Sequence, residues 1–122
     1  MGRKLIPGTD RIGEDWVKKE VKAILKKYPS LHFFMPPANM YGKSGTHDFI
    51  VCQQGLFWTI ETKAGRNPPT DNQIDFAENI SDAGGISLCI NEHTLAEVEY
   101  VCTYVRDNGT LPAGHNFEAY RK

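Results

Sequence analysis

Two short segments carry the residues best suited to chemistry: Gly45-Thr46-His47-Asp48, and, beyond a stretch of twelve residues, Glu61-Thr62-Lys63. Both interrupt sequence that otherwise reads as buried strand. Phe49-Ile50-Val51-Cys52 follows the aspartate, Leu56-Phe57-Trp58-Thr59-Ile60 leads into the glutamate, and Gln54-Gly55 supplies the turn of a hairpin. Side chains alternate across a strand, so Glu61 and Lys63 share a face. Two carboxylates and an ammonium at the ends of adjacent apolar strands are costly to desolvate unless they serve one another or a cation. A hard divalent ion takes such oxygen ligands, and a lysine beside it can hold or deprotonate a water, which suits phosphodiester hydrolysis. The plainer alternative is an ordinary hairpin with a surface aspartate and a Glu–Lys pair in solvent. Spacing alone leaves both open.

Other residues extend the set. Glu14 opens an amphipathic segment, and helical projection places it near the centre of the apolar stripe of Val17 and Val21, with Glu20 further round on the flank. A glutamate on the core-facing side needs a partner, which the cation would be; the alternative is a first-turn acid favoured by the helix dipole. Gln73, in the first turn of a later helix, can bond the lysine or a phosphate, or stand exposed as a helix former. Other schemes fare worse. His32, His47, His93 and His115 show no HxxxH or HxH spacing, and Asn91-Glu92-His93 lacks the paired upstream histidine of a histidine–metal nuclease. No cysteine or serine sits in a nucleophile elbow, and Gly42-Lys43-Ser44-Gly45 lacks the rest of a P-loop.

These side chains must be positioned by a small number of elements. Apolar residues from Trp16 to Tyr28 recur at helical spacing, predicting a helix over 14–28 that Pro29-Ser30 ends. A short strand over 31–35, a breaker-rich loop to Gly45 and the hairpin at about 46–63 follow. Thr70 or Asp71 can cap a helix running to 82, which Gly84-Gly85 stops. A buried strand over 86–90 and an amphipathic helix over 94–107 complete the pattern, and the last fifteen residues carry no firm signal. The order α-β-β-β-α-β-α predicts an α/β fold: a small mixed sheet with helices packed on it.

At 122 residues the chain suits a single domain. Its 40% hydrophobic and 24% charged residues are a globular balance rather than a disordered one. No apolar run approaches the roughly 20 residues that span a bilayer, and residues 1–7 lack a signal-peptide core, so a cytosolic protein without membrane contact is expected. Cys52, Cys89 and Cys102 lack CxxC spacing and are predicted to be reduced core residues. A net charge of −1 does not announce a nucleic-acid binder. Yet Lys18, Lys19, Lys22, Lys26 and Lys27 crowd one helix, with Arg3, Lys4 and Arg11 upstream. They form either a solvated face or a phosphate-contacting surface beside the acids.

Taken together, helix-borne Glu14, Gly45-x-x-Asp48, the hairpin, Glu61-x-Lys63, helix-borne Gln73 and the glycine-led strand resemble the PD-(D/E)xK nuclease superfamily. Within it the chain is most similar, over about 14–90, to the small stand-alone VRR-NUC domains of phages and bacteria. The resemblance implies a restriction-endonuclease-like core, with Glu14, Asp48 and Glu61 as ligands of Mg²⁺ or Mn²⁺ and the carbonyl of Thr62 completing the site. Lys63 would orient or activate the attacking water, and Gln73 would support the site from its helix. Lys18, Lys19, Lys22 and Lys43 are the candidate DNA contacts; no organic cofactor is expected. Where the family has proline before the aspartate, this chain has His47, read as an exposed loop residue, with a contact to DNA or metal as the alternative.

The leading expectation is thus a metal-dependent DNA endonuclease of the phage or bacterial host cytosol. The stand-alone relatives suggest four-way junctions as substrate and a homodimer as the working form, with Trp16, Phe33, Phe34, Met35, Met40 and Tyr41 as the candidate dimer surface. The rivals are a catalytically silent nucleic-acid-binding module on the same fold, and a nuclease of single strands or RNA.

Overall fold

The computed structural model describes residues 13–37, 45–113, 117 and 120, so Arg3, Lys4, Arg11, Met40, Tyr41, Lys43 and His115 lie outside the described residues. Val17, Val21 and Leu25 recur one turn apart, and burying that stripe makes α1 (Glu14–Leu25). It ends sooner than the apolar spacing predicts. Pro29 disfavours helical geometry in the residue before it, and the chain tightens instead, the amides of Lys27 and Tyr28 donating to the carbonyls of Ile24 and Leu25.

The strands are β1 (Leu31–Phe34), β2 (Phe49–Gln53), β3 (Leu56–Thr62) and β4 (Ile86–Ile90); α2 (Asp71–Asp82) and α3 (Leu95–Asn108) flank the last of them in sequence. They form one sheet in the order β1-β2-β3-β4, antiparallel except for the parallel β3–β4 pair that α2 connects. Gln54 at φ 51° and Gly55 at φ 83° make the primed turn that matches strand twist, as the Gln-Gly signal predicts. The mixed α/β architecture and the element order agree with the expectation from sequence.

One sheet face carries Phe49, Val51, Trp58, Ile60, Leu88 and Ile90, which pack with α1 and α3 into the main core. The other face carries Thr59, Glu61 and Ser87. There α2 supplies Ile74 and Ala77, which pack with Phe117 and Cys89 as a second small core. Strand alternation corrects one expectation: Cys52 sits opposite the face of Val51 and is exposed, Cys89 is half-buried, and only Cys102 is a core cysteine. Of the apolar groups flagged near the first helix, Trp16 and Phe33 pack against the core. Phe34 and Met35 stay exposed. No described helix is long and apolar enough to cross a membrane.

Candidate metal centre

The register Phe49↔Ile60 continues one step outward to set Asp48, just before β2, across from Glu61 near the end of β3. The first residue of α1 arrives at the same place. Ligand oxygens of Glu14, Asp48 and Glu61 all lie within 4.8 Å of one another. Glu20 has no place in this group among the described residues, which agrees with the helical projection.

Asp48 and Glu61 are each held by one oxygen. Asp48 Oδ2 accepts from the Thr62 amide at 3.0 Å and the Thr62 hydroxyl at 2.5 Å. Glu61 Oε2 accepts from Gln73 Nε2 at 3.0 Å and lies 3.7 Å from Lys63 Nζ. The opposite oxygens are presented: Asp48 Oδ1 lies 3.7 Å from Lys18 Nζ, and Glu61 Oε1 is buried without a hydrogen-bond partner among the described residues. Thr62, expected to act through its carbonyl, thus shows a second role as the anchor of Asp48. Burial, reinforced by Asp48, pushes the Glu61 carboxyl up to about 8, and burial also raises Glu14. Three acids packed this tightly resist joint ionisation. A hard divalent cation would relieve that repulsion and satisfy the orphaned oxygen, so the donor set fits such an ion.

Gln73 serves two purposes from the first turn of α2. Its Oε1 accepts from the Thr70 amide at 2.8 Å, and Thr70 Oγ1 accepts from the Gln73 amide at 3.2 Å, a reciprocal cap. The remaining Nε2 points at Glu61. The helix start and the carboxylate are therefore registered by the same amide group.

His47 is not the exposed loop histidine expected from sequence. It is 1% exposed, stacked on Phe117 at 5.0 Å and met by the tilted ring of Phe76 at 4.6 Å. Its Nε2 lies 2.9 Å from the Gln73 carbonyl, which can only accept, so Nε2 carries the proton. Nδ1 then accepts from the Thr59 hydroxyl at 2.8 Å, whose oxygen in turn meets Ser87 Oγ at 2.6 Å. Burial pushes the imidazole down to about 4, keeping it neutral. Gly45 lets this loop approach α2: it holds φ +88°, and a Cβ there would lie 2.5 Å from the Asn72 backbone. Composition signalled neither the buried imidazole nor its lid, because Phe117 belongs to a segment without periodicity.

The lysine face is uneven. Lys18 reaches Asp48 and Lys27 pairs with Glu99, which also accepts from the Tyr28 hydroxyl. Lys19, Lys22 and Lys26 are exposed.

No family model matches the chain, and no curated protein matches it in sequence. Its fold is similar to that of a solved structure described as a VRR_NUC domain protein. The TM-score is 0.63 at 18% sequence identity, with 86% of this chain and 100% of that one covered. The fold is therefore VRR-NUC-like, consistent with a restriction-endonuclease-like core.

Proposed function

We propose that this chain is a divalent-metal-dependent DNA endonuclease hydrolysing phosphodiester bonds. The observation that carries the reading is the trio Glu14, Asp48 and Glu61 within 4.8 Å, with a buried, unpartnered Glu61 Oε1, on a fold shared with a VRR_NUC domain protein.

When bound, Mg²⁺ or Mn²⁺ supplies Lewis-acid polarisation of the scissile phosphate and acidifies a coordinated water. Glu14, Asp48 and Glu61 would hold the ion, with the Thr62 carbonyl as a further oxygen donor. Gln73 and the Thr62 hydroxyl fix the carboxylate orientations. Lys63, 3.7 Å from Glu61, positions the attacking water and favours its deprotonated form by its charge. Lys18, 3.7 Å from Asp48, would meet a phosphate oxygen where a cation held that carboxylate. Lys19 and Lys22, with Lys43, grip the backbone, so affinity falls steeply with salt. The rival of a silent binding module is disfavoured because an apolar hairpin has no other use for these acids and this ammonium.

The working form in this reading is a cytoplasmic homodimer selective for four-way junctions. Two sites at a fixed separation suit a two-fold-symmetric substrate, and the exposed Phe34 and Met35 support an apolar contact. The deciding experiment incubates the protein with linear duplex, flap, splayed-arm and four-way-junction DNA in Mg²⁺, Mn²⁺ or EDTA. Metal-dependent cutting with preference for the junction is expected. Cleavage in EDTA refutes the mechanism, equal cutting of linear duplex refutes the selectivity, and a monomer mass in light scattering refutes the dimer.

A further inference from the structure

Lys63 belongs to two places at once. Besides approaching Glu61, it lines a cleft of about 540 Å³ shared with Arg66, Asn67, Glu97 and Tyr120. One rim of this cleft is held in place with unusual care. Gly65, at φ +59°, donates its amide to Glu92 Oε1 at 2.8 Å, and its carbonyl accepts from Asn91 Nδ2 at 3.0 Å. Asn91 is itself fixed, its amide donating to Thr94 Oγ1 at 2.9 Å and its Oδ1 accepting from the His93 amide at 2.8 Å. The Asn91-Glu92-His93 segment, which joins no metal-ligand group among the described residues, is thus a bracket for the loop after Glu61-x-Lys63. The Glu92 side chain is 8% exposed, with its other oxygen 3.8 Å from His93 Nε2, and a sheltered carboxylate bonded to a loop amide makes sense where the loop's position matters.

We propose that this cleft receives one unpaired nucleotide of the substrate strand, next to the scissile phosphate. The inference rests on the nuclease reading above and names what that site selects. Position argues for it: Lys63 both approaches the acids and lines the cleft, so a polymer whose phosphate lies at the acids can place its next unit there. Size argues for it as well, since the volume falls among small-ligand clefts, roughly 300–1,000 Å³, and cannot admit a duplex. The chemistry is also suited. Lys63 and Arg66 face phosphate oxygens, the Asn67 amide and Glu97 carboxyl can meet donors and acceptors on a base edge, and the exposed Tyr120 ring offers a stacking surface. A base enters such a cleft only after leaving its stack, which costs least where it is already unpaired. Flaps and splayed arms supply such nucleotides outright, and pairs at a four-way crossover open more readily than those inside an intact duplex.

The test uses the full chain and a duplex carrying a single unpaired 2-aminopurine, in Ca²⁺, with fluorescence intensity and anisotropy followed together. The 2-aminopurine signal should change as the complex forms, and a fully paired control should bind about tenfold more weakly. Asn67→Ala and Tyr120→Ala, checked for folding by circular dichroism, should still raise the anisotropy but lose the signal change and the preference. Binding with an unchanged 2-aminopurine signal, or variants that behave as wild type, overturns the cleft assignment and leaves the nuclease reading standing. Failure to bind any DNA overturns both.

Discussion

Thr62 grips Asp48 twice through a single oxygen, by its amide at 3.0 Å and its hydroxyl at 2.5 Å, and so dictates which oxygen of the aspartate faces the acid cluster. Thr62 is fully buried. Thr62→Val keeps the shape and removes one donor, a loss of about 1–3 kcal/mol in orienting the carboxylate. Calorimetric titration should show Mn²⁺ affinity falling about tenfold or more, with Thr62→Ser restoring it. An unchanged affinity in the valine variant would show that the anchor is dispensable.

Glu14 and Glu20 separate cleanly. Glu14→Gln should weaken Mn²⁺ binding while α1 stays folded, because Glu14 alone of the two joins the acid group. Glu20→Gln should be close to silent. The reverse ranking in the same titration would move the helix-borne ligand away from the N-terminus of α1.

The hairpin residues divide between binding and chemistry. Glu61→Ala and Asp48→Ala should abolish both ion binding and cleavage. Lys63→Ala should largely keep the ion and lose most of kcat, since its ammonium acts on the water rather than on the metal. Full activity of Glu61→Ala would sink the proposed mechanism.

Acid stability should report His47. Its folded value of about 4 lies below the ordinary 6.5, so the unfolded chain binds the extra proton between those limits and stability is lost as pH falls through them. The full effect is roughly 3 kcal/mol. Because Glu61, raised to about 8 from 4.5, works in the opposite sense down to pH 4.5, the effect is read in urea melts from pH 6.5 to 4 as the difference between the wild type and His47→Gln, which has no imidazole to protonate.

On the alkaline side the sign reverses. Glu61 is raised to about 8 from 4.5, so the metal-free folded state binds more protons over that range and loses stability as pH rises. Above pH 6.5 the His47 contribution is flat, and only this decline remains. Melting temperatures in EDTA should fall between pH 6.5 and 8, and saturating Mn²⁺ should remove the fall. A flat profile in EDTA would mean the carboxylates ionise together without a cation.

Much of this molecule is written locally. The Gln54-Gly55 turn, the alternation through β2 and β3 and the stripe Val17-Val21-Leu25 each follow from spacing of adjacent residues, and they suffice to predict the element order and the grouping of Asp48, Glu61 and Lys63. Glu14 was also legible, because a helical projection reports which way a side chain faces before its partner is known. What tertiary structure decided lies where distant segments meet. The exposed loop histidine became a buried, neutral one because Gly45 lets its loop approach α2 and Phe117, 70 positions away in a segment without periodicity, closes over the ring. The Thr62 grip on Asp48 and the Asn91–Glu92 bracket on Gly65 depend likewise on register between strands and on which rotamer a polar group takes to satisfy a buried donor. Hydrophobic periodicity is a property of neighbours in sequence, whereas the partner of a buried polar group is chosen only when the whole chain has packed.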